Sequence, residues 1–596
     1  MSDPHVEYAK RLQTYVEIRA SQNRLHTRVG NSKLAVVIVG LVLAWLSLDK
    51  DWLRSYWLLV PISIYAVLTI YHERVLRVRT RAEIAGTFYR KGIARIEDRW
   101  VGTGQPGDRF RDGKHVYAED LDLFGRGCLF ELLSTARLPM GENWLANWLR
   151  FPSPKTTILE RQNLIVEIRE KLELHLDLAV TGEELRARLN PEALTGWAEG
   201  KPVLPVGAWR GVVAMLAIAA AAALSYYFLT SVYWPFLLVL ILETTVIRQL
   251  RRRAQAVIGE ISCNAEGLEL FSQMLRRLEG EAFVSSRLHG FAAELGRDGL
   301  PASHLIRKLA HIVHWIDARD SLLAKAAELP FLYTVQVGFA AEAWRRRWGA
   351  RMRAWVNIAG EMEALISLAT YSFEHPNDPF PEFIDSETSQ AFIDGEELGH
   401  PLIPASTCVR NSVRLDKNTR VLLVSGSNMS GKSSLLRVVG INAVLAMAGA
   451  PIRGQSLRLT PLTIGTRIRS TDSLQEGRST FYTEILHIRQ IFDLAREADP
   501  LLFLFDELLD GTNSKDRRIG AERLIRALLE RRANGIVTTH DLALTEITAA
   551  LGNCMRNMHF EDQIVDGKMK FDYKLREGVV TKSNAIELMR LIGLEI

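Results

Sequence analysis

The sequence is poor in cysteine. Its four cysteines, Cys128, Cys263, Cys408 and Cys554, lie far apart, and no two form a C-x-x-C pair. That spacing excludes a sequence-local zinc ribbon and a disulfide scaffold, and it fits a reducing compartment. Charge of one sign is also lacking: 74 Lys and Arg stand against 69 Asp and Glu, a net +5. Such a balance is too small to make nucleic acid or anionic lipid a partner on charge alone. There are no internal repeats or low-complexity tracts, and the first thirty residues are too polar and charged for a cleavable signal peptide. With 47% hydrophobic and 24% charged residues, the 596-residue chain is neither disordered nor collagen-like. At roughly 150 residues each, about three or four domains are expected.

Two apolar hairpins stand out from the average. Leu34 to Leu48 is followed by a short DKDWLR turn and then Ser55 to Tyr71. Gly211 to Leu229 is followed, after Thr230 and Ser231, by Val232 to Ile247. Each run is about 15 to 19 residues, near the short end of what crosses a ~30 Å hydrocarbon layer. Trp45, Trp52, Trp57, Tyr71, Trp209 and Trp234 lie near the ends, where interfacial anchors belong. The bland alternative, helical hairpins buried in a soluble core, fits two separate apolar hairpins poorly. Arg24, Arg28 and Lys33 precede the first hairpin, and Arg74, Arg77, Arg79 and Arg81 follow it. Arg210 precedes the second, with Arg248, Arg251, Arg252 and Arg253 after it. The positive-inside rule then places both termini and all large segments in the cytoplasm. Four spans of a bacterial-type inner (plasma) membrane are expected.

Residues 83–200 read mostly as helix, with a Gly/Asp-rich stretch from Gly102 to Lys114. Residues 248–370 read as continuous helix broken near Gly299–Pro301 and at Pro330. Trp344, Trp348 and Trp355 fall on one stripe beside Arg345, Arg346, Arg347, Arg351 and Arg353. A packed Trp stripe with a solvated Arg face is the simpler reading; a membrane-surface or nucleic-acid contact is the alternative. Pro376 to Pro404 is turn-rich and marks a boundary, and from Arg420 short β-rich runs alternate with helices, as in an α/β domain. The expected division is a basic arm 1–33, a hairpin 34–71, a helical core 72–210, a hairpin 211–247, a second helical part 248–376 and an α/β domain 377–596.

The strongest signal is VLLVSGSNMSGKSS, Val421 to Ser434. A buried strand runs into Gly426-Ser427-Asn428-Met429-Ser430-Gly431-Lys432-Ser433-Ser434 and then into a helix. Such a loop curls backbone N–H groups around phosphates, Lys432 reaches the β/γ oxygens, and Ser433 offers a hydroxyl to Mg²⁺. ATP and Mg²⁺ are therefore the expected ligands. A second strand, Leu501 to Phe505, ends in Asp506-Glu507: the first acid suits the Mg²⁺ shell and the second can orient or deprotonate an attacking water. A third, Ile536 to Thr539, delivers His540 to the same edge as a γ-phosphate sensor. Between the first two, Gly477, Ser479 and Thr480, followed by Glu484, form a candidate anion site at a helix N-terminus.

These residues resemble the ATPase domain of the MutS family of DNA mismatch-repair proteins. GSNMSGKSS looks like that family's GPNMGGKST, RIRSTDSLQEGRSTF its RIGASDDLxxGxSTF, and FDELLDGTNSKD its DExGRGTSTxDG. TTH and LREGVVTKSNAIELMRLIGL are similar to the closing part of that domain. Upstream, Thr135, Gly141, Leu145, Trp148, Leu149, Pro152, Ile158, Arg161 and Val166 occupy places of the family's core-domain pattern, and ELGHPLIP resembles its entry segment. The resemblance implies an α/β, ABC-type P-loop ATPase domain beside a mostly helical core and lever. It also implies a homodimer in which Ser479 of one copy completes the site of the other. The implied roles are phosphate and Mg²⁺ for Lys432 and Ser433, Mg²⁺ for Asp506, catalytic carboxylate for Glu507 and γ-phosphate sensing for His540.

Departures from the pattern bear on function. The first 82 residues hold a basic arm and an apolar hairpin where the family's mismatch-reading and connector domains are expected, and Asp510 stands at the place of the family's Arg. The leading expectation is a membrane-anchored ATPase whose cycle opens and closes a dimer, with DNA binding implied by the resemblance. An ABC-type membrane ATPase that does not act on DNA is the alternative, although no LSGGQ-type signature precedes Asp506.

Overall fold

The computed structural model describes residues 3–48, 54–205, 207–259, 261, 264–320, 325, 328, 331–385, 390–427, 429–468, 480–496, 499–510, 512–565 and 568–580. The chain forms two compact units. One comprises Met1–Ile96, Ala136–Met140 and Lys171–Glu363; the other comprises Glu97–Thr135, Gly141–Glu170 and Ala364–Ile596.

The first unit is helical. Pro4–Leu48 and Leu59–Ile96 are long helices packed side by side in opposite directions. The pairs that join them run in opposite senses: Tyr8 against Tyr89, with ring centroids 5.4 Å apart, Arg19 to Glu83 at 3.0 Å, and His26 Nδ1 to His72 Nε2 at 2.7 Å. The expected boundaries at 33 and 71 fall inside these helices, because neither position carries a residue that breaks one; Pro61 sits in a first turn, where it is tolerated. The basic arm and the first apolar run are therefore one element.

Among the described residues, three helices are long and apolar enough to cross a membrane: Pro4–Leu48, Tyr56–Ile96 and Trp209–Thr230. Their apolar stretches expose large side chains, among them Leu41 (67%), Val67 (66%) and Ile218 (69%). The fourth expected span is cut to a shorter apolar helix, Trp234–Thr245. The helix itself continues to Gly259, but Glu243 and then Arg248 interrupt its apolar run.

The expected break at 299–301 is a single 3-10 turn, Arg297–Gly299, before the helix Ala302–Asp317; Pro330 lies outside the described residues. The Trp stripe is packed. Trp355 is fully buried, Trp344 is nearly so, and its indole N–H donates to the Leu305 carbonyl at 2.8 Å. The Arg face is less solvated than expected, since Arg345 is buried against the buried Glu342 at 2.6 Å and donates to the Lys201 carbonyl. A buried guanidinium is held only when a carboxylate and carbonyls pair it.

The second unit is built on two sheets. In chain order its strands are β1 (Glu382–Phe383), β2 (Ile393–Leu398), β3 (Asn411–Leu415), β4 (Val421–Ser425), β5 (Ser456–Leu459), β6 (Thr463–Arg467), β7 (Leu501–Phe505), β8 (Asn534–Thr539), β9 (Met555–Val565) and β10 (Lys568–Glu577). The small sheet has the order β1-β5-β2-β3 and the large one β10-β9-β4-β8-β7-β6. From β9 to β6 the large sheet is parallel, and β10 closes it antiparallel to β9. β4, β7 and β8 are buried along their whole length, as strands covered on both faces must be.

Two segments expected in the helical core, 97–135 and 141–170, belong to this unit instead. Physical reasons are visible at both. β6 is an edge strand, and Val116 and Asp120 cover that edge: the Thr466 N–H donates to the Val116 carbonyl at 3.0 Å, and the Asp120 carboxylate accepts from the Thr466 hydroxyl and the Ile468 N–H. Arg161, stacked on Trp148 at 3.9 Å, donates to the Ala448 carbonyl at the end of the helix Lys432–Ala448. A cation there satisfies an orphan carbonyl and complements the helix dipole.

Gly535 of β8 lies between Val421 of β4 and Phe503 of β7. A Cβ there would stand 2.3 Å from both the Phe503 carbonyl oxygen and its ring. Backbone cannot yield as a flexible side chain does, so Gly535→Ala is expected to destabilise the sheet by about 2 to 3 kcal/mol. The check is a lowered thermal midpoint beside Ala521→Gly on the neighbouring helix, which should lose about 1 kcal/mol.

Candidate functional site

Parallel strands send their carboxyl ends to one edge, and the sheet order places β4, β8 and β7 side by side there. From β4 the chain enters the loop 426–431 and turns into the helix Lys432–Ala448. Gly431 caps that helix with a left-handed φ of +107°, and a Cβ there would press on the Tyr573 ring at 3.0 Å, so the position demands glycine twice over. Met429, also left-handed, points out to solvent at 84% exposure.

Lys432 is buried, and its ammonium donates to the carbonyls of Gly426 and Ser427 at 2.9 and 2.8 Å. Burial pushes its pKa down, and the nearby charges of Glu507 and Asp506 push it back up. The hydroxyls of Ser427 and Ser430 are buried without a hydrogen-bond partner among the described residues. Buried polar groups are normally satisfied, so two orphan hydroxyls in one glycine-bounded loop fit a loop that takes its remaining partners from a bound anion.

At the end of β7, the Asp506 N–H donates to the Arg467 carbonyl at 2.7 Å, and its carboxylate accepts from the Thr538 hydroxyl of β8. Thr538 in turn accepts from the Glu507 N–H at 3.1 Å, so one β8 side chain sets both acids. Glu507 and Leu509 have positive φ (49° and 58°), strained for side-chain-bearing residues and common where a site overrides local preference. His540 Nδ1 lies 3.3 Å from Glu507 Oε1, and its Nε2 lies 3.9 Å from Asp510, which is paired with Arg517 at 2.7 Å. Glu484 is buried and accepts from the Leu509 N–H at 3.0 Å; burial raises its pKa.

A cleft of about 780 Å³ opens over these groups. It brings together Met429, Gly431, Lys432, Ser433, Ser434, Asp506 and Glu507, with Glu484 and Asp510. Asn428 lies outside the described residues, as does the whole segment 469–479 with Gly477 and Ser479. Sequence reading missed the apolar part of the lining, Ile403, Val409, Phe560 and Tyr573 beside His400, of which Phe560 and Tyr573 lie against the loop 426–431 itself. Tyr573 arrives there because β10 bulges between Phe571 and Leu575. Asn411 pins the bulge, donating to the Tyr573 carbonyl and accepting from the Leu575 N–H. No local pattern announces such a residue. Thr538 is legible in sequence as the first residue of the TTH segment, but its bridge to the two acids is not.

His400 is buried, and burial pushes its pKa down to about 4. Its unfolded value is near 6.5, so between these values the unfolded chain binds the extra proton. Stability from neutral His400 is therefore full above about pH 6.5 and falls as pH drops toward 4, by up to about 3 kcal/mol. His400→Gln should flatten the acid limb of the stability curve over that window, checked by urea unfolding at a series of pH values; an unchanged slope would sink the assignment.

The sequence of this site matches known proteins. Residues 422–595 match the family model for MutS domain V. Over 274 residues the chain is 29% identical to the DNA mismatch repair protein MutS of Staphylococcus saprophyticus, covering 46% of this chain and 30% of that protein. Over 276 residues it is 30% identical to the proteins of the same name from Staphylococcus carnosus and Staphylococcus aureus, covering 45% of this chain and 30% of each. The chain thus spans about 30% of the length of the curated relatives it matches. Residues 422–595 of this chain are thus similar in sequence to MutS domain V.

Proposed function

We propose that the chain is a membrane-anchored ATPase of MutS type, working as a homodimer in which ATP binding and hydrolysis drive conformational cycling. The observation that carries this reading is the convergence of a phosphate loop with two orphan hydroxyls and an Asp-Glu pair in one cleft with an aromatic wall. ATP fits that cleft by chemistry: an anion-seeking loop for the phosphates, and Tyr573 and Phe560 in the same lining as aromatic surface for a base. Ser433 and Asp506 are the residues to hold Mg²⁺, which would neutralise charge on the phosphates.

Lys432 would exchange the Gly426 and Ser427 carbonyls for phosphate oxygens, a trade of neutral acceptors for charged ones. Glu507, fixed at its backbone by Thr538, would accept the proton of the attacking water. His540, 3.3 Å from Glu507, would sense the γ-phosphate from the next strand. Ser479 of a second copy would complete the site. Asp510 puts a carboxylate where the family pattern has Arg, which favours a slow turnover. The apolar helices and the arginines at their ends support insertion in a bacterial-type inner membrane with both termini cytoplasmic. Because the relatives are DNA mismatch repair proteins by name, DNA binding is included in the reading.

Purified chain should hydrolyse ATP slowly and only with Mg²⁺. Lys432→Ala should abolish nucleotide binding, whereas Glu507→Ala should keep it and lose about 10² to 10⁴ in kcat. Tyr573→Ala should weaken ATP binding about tenfold, the worth of one aromatic contact. Wild-type rates equal to those of both Lys432→Ala and Glu507→Ala would defeat the reading. For DNA, a mobility-shift series over rising salt should show affinity falling steeply, as phosphate contacts require. Absence of binding at low salt would remove DNA and leave the membrane ATPase.

A further inference from the structure

The helix Trp234–Gly259 carries one acid inside its apolar run, and that acid is completely buried. Glu243 has zero exposure, while Ile241 and Leu242 beside it are 63% and 52% exposed. Neither carboxylate oxygen has a hydrogen-bond partner among the described residues. The hydroxyls that follow it in sequence are already engaged: Thr244 and Thr245 donate to the Leu240 and Ile241 carbonyls of their own helix.

Its face of the helix continues at Leu250, Ala254 and Val257, all buried and apolar. The preceding helix, Gly207–Thr230, buries Val213, Leu216, Ala217, Ala220 and Ala223. After Arg210 that helix contains no Asp, Glu, Lys, Arg or His, and its titratable groups are the exposed Tyr226 and Tyr227. The other helix packed on this one, Tyr333–Trp348, approaches through Gly338 at Ala254. Of its charged groups, Glu342 pairs with Arg345 and Arg346, and Arg347 is exposed and lies over the Trp348 ring at 4.9 Å. Arg251, two turns beyond Glu243, faces Glu328 at 4.0 Å, and Arg248 is exposed.

Depth follows from helix rise. From Trp234 to Glu243 is about 13 Å along the axis and from Glu243 to Arg248, the first flanking arginine, about 8 Å, at ~1.5 Å per residue. With Trp234 at one interface and the arginines at the other, Glu243 lies within the apolar layer, nearer its arginine side. An ionised carboxylate there, unpaired and without donors, costs far more than a neutral acid.

We propose that Glu243 is a proton-binding site within the apolar hairpin, its carboxyl group carrying a proton at neutral pH. The inference rests on the hairpin being inserted in the membrane and is independent of the nucleotide site. The test uses the full chain in lipid vesicles, treated in parallel with dicyclohexylcarbodiimide, which enters lipid and adds to protonated carboxyls, and with a water-soluble carbodiimide plus an amine. In the first reaction the carboxyl proton passes to one carbodiimide nitrogen and the acyl group ends on the other, so the whole reagent is added and nothing leaves.

Mass spectrometry should find the adduct of the lipid-soluble reagent on Glu243, lost in Glu243→Gln and declining as the pH is raised. The amine adduct should be absent. Amine labelling of Glu243 would overturn both the proton site and the insertion of this hairpin. Labelling by neither reagent, the result of a partner cation seated on the carboxylate, would overturn the proton site while leaving insertion and the ATPase reading intact.

Discussion

The site depends on the parallel register of three buried strands. β4, β8 and β7 run in the same direction, so the phosphate loop, His540 and the Asp506-Glu507 pair leave the sheet at one edge. Parallel pairing demands cover on both faces, which explains the unbroken apolar strands and the largely buried helix that follows the loop. It also demands close approach, which is why Gly535 occurs where Phe503 leaves no room for a side chain. Were one strand reversed, the loop and the acids would face opposite ends of the sheet.

Upon this frame, second-level contacts set the chemistry. Thr538 bridges the two acids from the neighbouring strand, so their placement depends on the first residue of the TTH segment. Positive φ at Glu507 and Leu509 costs stability that the surrounding core, including Leu508 and Phe505, must offset. The bulge at Tyr573 and its Asn411 clamp turn the last hairpin toward the phosphate loop. The cleft therefore joins chain segments more than a hundred residues apart.

The helical unit follows a different rule. Its long helices leave apolar side chains exposed where a water-soluble bundle would bury them, while polar side chains such as Arg345 and Glu342 are buried and paired. Glu243 is the exception within the apolar run, buried and without a hydrogen-bond partner among the described residues. A carboxylate so placed cannot be credited to packing, since an alanine or leucine would fill that space without desolvation cost.

Sequence alone determined the local chemistry: the strand–loop–helix around Lys432, the acids after an apolar strand, the His after another, and the apolar runs with arginine flanks. Each is written in consecutive residues, and short-range sterics and hydrophobicity suffice to read it. Segments 97–135 and 141–170 were misassigned because helical periodicity does not say which core a helix joins; Asp120 and Arg161 settle that only by capping a strand edge and a helix end in three dimensions. The fourth apolar run looked like its neighbours because averaged hydropathy hides a single acid, although Glu243 stood in plain view. Only the tertiary structure decided the aromatic wall, the Thr538 bridge and the isolation of Glu243, because each depends on which distant side chains a group meets.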